Sequence, residues 1–161
     1  MKLFVKEKLF SMHNKYYIYN ENNEMVYEIV SKIISIGDKT TIYDAKQNVI
    51  AYIEQEILHL MPHYNVYIND EFKYQIKKKF QLFKNDYELS NMYKVDGSPF
   101  SYNFIITNSE NKAVAVVSRE FLTLGDKYQI EILDENDLNT ILTIIVAITN
   151  DIDRSQSNSS N

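Results

Sequence analysis

The segment DLNTILTIIVAITNDID, residues 137–153, decides the fold, because from Leu138 to Thr149 it runs for twelve residues without a charge. Two readings compete for it. Its β-branched residues, Ile141, Thr143, Ile144, Ile145, Val146, Ile148 and Thr149, lower helix propensity and suit a strand buried on both faces. Against that, Asp134 and Asp137 precede the run as an N-cap and a first-turn acid would, and about fifteen residues is long for a strand. The caps and the length weigh toward a helix. Its apolar side chains would then cover an arc of about 200°, wider than the stripe of a surface helix. Such a helix needs walls on nearly every side. Twelve residues rise only about 18 Å, short of the roughly 30 Å of a bilayer core, so those walls are expected to be protein.

The rest of the chain reads as the wall. Thirteen Tyr and eight Phe against three Gly and two Pro favour strands. Three pieces recur every 24 residues, LFSMHNKYYIY (9–19), IISIGDKTTIY (33–43) and ILHLMPHYNVY (57–67), and FLTLGDKYQIE (121–131) echoes the second. Between apolar runs sit NENNE (20–24), DAKQN (44–48), ND (69–70) and NSENK (108–112), clusters whose Asn and Asp tolerate left-handed backbone and mark hairpin turns. Phe100, Tyr102, Phe104 and Ile106 alternate with Ser101, Asn103 and Thr107, and Tyr128, Ile130 and Ile132 with Lys127, Gln129 and Glu131. About eleven or twelve strands in meander order result, and they must close or fold over to protect their edges. The expected fold is mainly β, a closed barrel of about twelve strands around a central hydrophobic C-terminal helix.

With 161 residues and 45% hydrophobic content, one domain is expected over residues 1–153, followed by a disordered polar tail, RSQSNSSN (154–161). A net charge of −5 argues against a dedicated nucleic-acid binder. The absence of cysteine excludes disulfides and thiolate metal sites and fits a reducing compartment. Only Leu3, Phe4 and Val5 are apolar between Lys2 and Lys6, too few for a signal-peptide core, so the expectation is a cytoplasmic protein that does not span a membrane.

KLFVKEKLFSMHNKYYIYNENNEMVYEI, SIGDKTTIYDAKQNVIAYIEQEILHLMPHYNVYI, KKKFQLFKNDYEL and SREFLTLGDKYQIEILDENDLNTILTIIVAITNDID together resemble the LURP-one-related family, in its bacterial branch. That family belongs to the tubby C-terminal-like group, which includes phospholipid scramblases. The resemblance covers roughly residues 1–153 and implies a twelve-stranded barrel with a hydrophobic helix through its centre. Within the group tubby domains bind phosphoinositides and scramblases are membrane-linked. No residue-by-residue match to a headgroup-binding pattern is present, and binding is not inherited from a fold.

No G-x-S-x-G, Gly-rich phosphate loop or H-E-x-x-H occurs, so an enzyme is not expected and no cofactor is implied. His59 and His63 stand four apart, a ligand spacing on a helix, but Pro62 lies between them and the repeat puts them at a strand and turn, so ordinary turn histidines and no metal are expected. The run KYQIKKKFQLFK (73–84) holds Lys73, Lys77, Lys78, Lys79 and Lys84 without an acid. On a strand Lys73, Lys77 and Lys79 share one face, while Lys78 falls on the apolar side, where a bulge or strand end is expected. These five lysines are the candidate contact for anionic lipid headgroups or an acidic protein partner, beside the plainer reading of a solvated barrel face. The expected function is a non-enzymatic binding or scaffold module acting through its outer surface; the alternative is an enzyme or small-ligand carrier with a pocket at the barrel rim.

Overall fold

A computed structural model describes residues 1–6, 14–32, 37–81, 84–89, 92–119 and 126–159. Twelve antiparallel strands follow one another around a closed barrel: β1 (Lys2–Lys6), β2 (Asn14–Asn20), β3 (Met25–Lys32), β4 (Lys39–Asp44), β5 (Val49–Gln55), β6 (His63–Ile68), β7 (Glu71–Gln81), β8 (Lys84–Leu89), β9 (Tyr93–Ser98), β10 (Asn103–Asn108), β11 (Ala113–Ser118) and β12 (Asp126–Ile132). Each strand pairs with its neighbours in sequence. The ring closes where β12 meets β1, Leu3 opposite Ile130 and Val5 opposite Tyr128. Closure leaves no edge strand open to another chain.

The turn chemistry follows the polar clusters. In NENNE, DAKQN and NSENK the first residue folds back on the backbone: the side-chain Oδ1 of Asn20, Asp44 and Asn108 each accepts from the amides two and four residues on. Each turn then contains one left-handed residue, Asn23, Gln47 or Asn111, and the β6–β7 turn places both Asn69 and Asp70 there. The 24-residue repeat is one hairpin of this meander, since β2, β4 and β6 occupy equivalent places in their pieces.

Period-two alternation sends one side of every strand inward. Leu3, Ile18, Ile29, Ile42, Val66, Ile76, Ile106 and Ile130 are among the fully buried side chains. Down the middle runs α1 (Leu138–Ser159), whose residues 141–149 are buried without exception. The segment that opened the sequence reading is therefore a helix, and its β-branched residues cost little because wall atoms surround every face. Asp134 caps a short 3-10 turn over Glu135–Asp137 that feeds α1, its carboxylate accepting from the Asn136 amide at 3.1 Å. No helix among the described residues is long and apolar enough to cross a membrane.

Three local expectations change. Helix α1 continues past Asp153 to Ser159, where a structureless tail was expected; Arg154 pairs with Asp38 and donates to Gln55 Oε1 at 2.9 Å, so the first tail residues are anchored. Phe100 sits in a 3-10 turn over Pro99–Ser101 rather than on β10, because Tyr102 takes a left-handed conformation that resets the chain before the strand begins. Finally, β7 passes Lys78 without a bulge. The register shift lies at Lys73, between the pairs Val66–Tyr74 and Tyr67–Phe72.

Candidate functional site

Helix residues 141–149, all buried, occupy the middle of the barrel, which leaves its two ends and its outer face accessible among the described residues. At the end where α1 finishes, the helix turns polar and the strands answer with hydroxyls. The Asp151 carboxylate, 4% exposed, accepts from Tyr64 at 2.6 Å, from Tyr87 at 2.8 Å and from the Lys78 ammonium at 2.7 Å. Asn150 accepts from Tyr16 at 3.1 Å and donates to Ser31 and Thr40, both at 3.2 Å. Asp153 pairs with Lys127 at 2.5 Å and accepts from Tyr102. Burial, then the Asp151 charge, pushes the Tyr64 and Tyr87 hydroxyls far above their ordinary values, so both stay protonated donors. The collar is structural chemistry: among the described residues no buried side-chain polar atom lacks a partner, and the recess beside it, lined by Tyr16, Lys127, Tyr128 and Asp153, has a volume of only about 10 Å³.

This collar separates the five candidate lysines. Lys78 points inward to Asp151 and is 12% exposed, so it is not part of an outer contact. Its place on the apolar side of β7 is resolved by a carboxylate on the helix, not by a bulge. Lys77 and Lys79 lie on the outer face at the same end, level with the β5–β6 loop: Lys77 stands opposite His63 in the β6–β7 register, and the Lys78 amide donates to Pro62 O at 3.0 Å. Lys79 has Glu88 at 3.5 Å. Lys73 is also outward but lies toward the opposite end, where it pairs with Glu71 at 2.7 Å. The Lys84 side chain lies outside the described residues.

What the lysines accompany is more telling. The β5–β6 loop exposes Ile57 (53%), Leu58 (98%) and Leu60 (104%), and Leu58 holds a left-handed φ of 77° that turns it away from the barrel. Left-handed backbone is costly for leucine. The sequence reading placed this region at a strand and turn through Pro62 and the repeat, and the loop between Gln55 and His63 lies there; the exposure of its apolar side chains was not read from the sequence. At the loop base the Glu56 amide donates to His63 O at 2.8 Å, closing the neck. There Glu56 meets both histidines, His59 Nε2 at 2.9 Å and His63 Nδ1 at 3.9 Å from Oε2, with the imidazole rings stacked at 3.9 Å between centroids. Partial burial, then the neighbouring His59 and Lys77, lowers the His63 pKa and favours its neutral form. The histidines lie at a turn and a strand start, as the sequence reading placed them, and the loop brings them together with Glu56.

At the other rim, where α1 starts, an open cavity of about 470 Å³ is lined by Lys73, Tyr74, Met92, Asp137 and Leu138 among others. Tyr74 donates to Thr140 O at 3.0 Å on its wall, and Tyr93 donates to Asp137.

The family model for LURP-one-related proteins matches residues 1–149, every strand of the barrel and the first part of its helix. The chain belongs to that family. The uncharacterised Bacillus subtilis (strain 168) protein YxjI is 27% identical over 149 residues, covering 92% of this chain and 91% of its own. An X-ray structure of an Arabidopsis thaliana protein superposes with a TM-score of 0.68 at 16% identity, covering 94% of this chain and 90% of that one. At that identity the likeness shows a shared fold. None of these names carries an enzymatic activity.

Proposed function

We propose that this protein is a non-enzymatic cytoplasmic binding module that docks on anionic membrane faces through its β5–β6 loop. One observation carries the reading: Leu58 and Leu60 stand fully in solvent on a single narrow loop, level with Lys77 and Lys79. A projecting apolar tip beside ammonium groups suits the headgroup boundary, where apolar side chains sink about 5–10 Å while cations stay with the phosphates. Withdrawing two leucines from water yields about 3–6 kcal/mol. Each lysine adds about 1 kcal/mol near an anionic surface. The gross total corresponds to weak attachment, on the order of millimolar to micromolar in accessible lipid.

Sedimentation with vesicles tests it. Binding is expected to vesicles containing anionic lipid at low salt, to weaken as salt screens the lysines, and to disappear in Leu58→Asp/Leu60→Asp. Lys77→Glu/Lys79→Glu removes the salt-sensitive share. Failure of the unmodified protein to sediment with anionic vesicles at low salt overturns the membrane reading and leaves a protein partner as the occupant of the loop.

The 470 Å³ rim cavity favours a second reading, a small-ligand carrier, since its volume lies within the roughly 300–1,000 Å³ of small-molecule sites. A thermal-shift screen of metabolites that raises stability in the native chain, but not in a Tyr74→Ala variant, supports it; a broad null removes it.

A further inference from the structure

We infer that Glu56, His59 and His63 form a binding site for a borderline transition-metal ion such as Zn²⁺ at the neck of the β5–β6 loop. Their ligating atoms lie within 4.8 Å of one another. In a tetrahedral site with metal–ligand bonds of about 2.0–2.1 Å, ligand atoms stand about 3.3 Å apart. The distances from Glu56 Oε2, 2.9 Å to His59 Nε2 and 3.9 Å to His63 Nδ1, fall on either side of that figure. The two rings, stacked 3.9 Å apart at 25°, must swing about their side-chain torsions to turn both nitrogens on one ion, because a metal lies in the plane of each imidazole that binds it. Two imidazoles and one carboxylate supply three ligands and leave the fourth position to water. This donor set selects Zn²⁺, Co²⁺, Ni²⁺ or Cu²⁺ and not Ca²⁺ or Mg²⁺, which require shells of oxygen.

A second feature of the site is the support behind the carboxylate. Asn65 Nδ2 donates to Glu56 Oε1 at 2.9 Å, and Gln75 Nε2 donates to Asn65 Oδ1 at 3.0 Å. This chain, running across the outer faces of β6 and β7, occupies one carboxylate oxygen and turns the other toward the histidines. Outer partners of this kind orient a ligand and raise its affinity for metal. The ligands also stand on fixed backbone, Glu56 directly after β5 and His63 as the first residue of β6, with the Glu56 amide bonded across the neck. His59 is reachable from solvent, its side chain 41% exposed, which gives an ion its entry path. Because His59 lies between Leu58 and Leu60, a bound ion would also fix the pose of the apolar tip.

The inference stands without the membrane reading, since ion capture is measured with no lipid present. The full chain, free of any polyhistidine tag and stripped with chelator, is titrated with Co²⁺ and followed by its visible d–d absorption, then with Zn²⁺ in competition. One ion per chain with a tetrahedral-type Co²⁺ spectrum, displaced by Zn²⁺, is expected. His59→Ala and Glu56→Gln each abolish the band. Asn65→Ala, which removes no ligand, weakens Zn²⁺ about 10-fold or more. Circular dichroism confirms that each variant keeps its fold, and His59, on the exposed loop, is the substitution least able to disturb it. A spectrum of octahedral type, an unsaturable titration, or undiminished binding in the His59→Ala/Glu56→Gln double variant overturns the site.

Discussion

Replacing Lys78 by methionine isolates the buried contact between wall and helix. The substitution removes an ammonium 2.7 Å from Asp151 and leaves that carboxylate, 4% exposed, without a counter-charge. Breaking a buried pair by deleting one partner costs roughly 3–5 kcal/mol. Here Tyr64 and Tyr87 still donate to the carboxylate, which argues for the lower end, about 3 kcal/mol. With about 2.1 cal/mol/K of unfolding entropy per residue, 161 residues give about 0.34 kcal/mol/K, so the Tm falls by about 9 °C. Lys77→Met and Lys79→Met, one residue away on either side but facing out, change stability by no more than about 0.5 kcal/mol. Adding Asp151→Asn to Lys78→Met keeps an acceptor oxygen for the tyrosines and removes the stranded charge, and should recover about 1–2 kcal/mol. Urea melts of the four variants provide the measurement. Equal effects at positions 77, 78 and 79, or no recovery by Asp151→Asn, would refute the inward placement of Lys78.

Leu58→Asp/Leu60→Asp leaves the unfolding free energy from urea melts within about 0.5 kcal/mol of the native protein, because both side chains are already in water; a large loss would mean that the loop packs against the barrel. Gly97→Ala is destabilising by more than about 1 kcal/mol, since Gly97 has a φ of 116° and a Cβ there would stand 2.8 Å from Asn103 O; an unchanged Tm would contradict that geometry. The Glu28 carboxyl, hydrogen-bonded first by Lys15 and then by Gln47, is held below its ordinary value of 4.5. A folded-state pKa lowered in this way contributes stability above the unfolded value that disappears as pH falls through the folded one, so Glu28→Gln flattens the acid limb of the stability curve. Parallel acid limbs in the two proteins would exclude that contribution. Ile145→Ala in the enclosed helix costs about 2–5 kcal/mol, measured in the same melts.

The architecture was legible because it rests on patterns that short windows display. Twelve uncharged residues behind two aspartates gave the helix, and the turn clusters at 20–24, 44–48 and 108–112 set the hairpins through side-chain-to-backbone bonds that are local in sequence. The candidate site was less legible because its contacts are not local. Lys78 and Asp151 are 73 residues apart, and nothing near Lys78 announces a carboxylate on the far side of the wall. The alternation did flag Lys78 as anomalous, and the anomaly was real, but a bulge is the local remedy and a buried ion pair the distant one. His59 and His63 were read as turn residues, where they lie, but their meeting with Glu56 was not, because ring stacking and a closed neck, not helical period, bring the three together.

A barrel filled by its own helix has a consequence for where function can lie. Lipocalin-like barrels keep a cavity and bind inside; here Ile141, Leu142, Ile144, Ile145 and Ile148 take that volume, and every one of them is fully buried. A uniformly apolar helix in a ring of similar strands would be free to slide or rotate, since one isoleucine contact replaces another at little cost. The polar collar removes that freedom. Asn150, Asp151 and Asp153 each require particular partners from particular strands, and a slip of one turn would strand a buried carboxylate. The collar thus sets the register of helix against wall and holds the strand ends at that rim, including β6 and β7, from which the exposed loop and its lysines project.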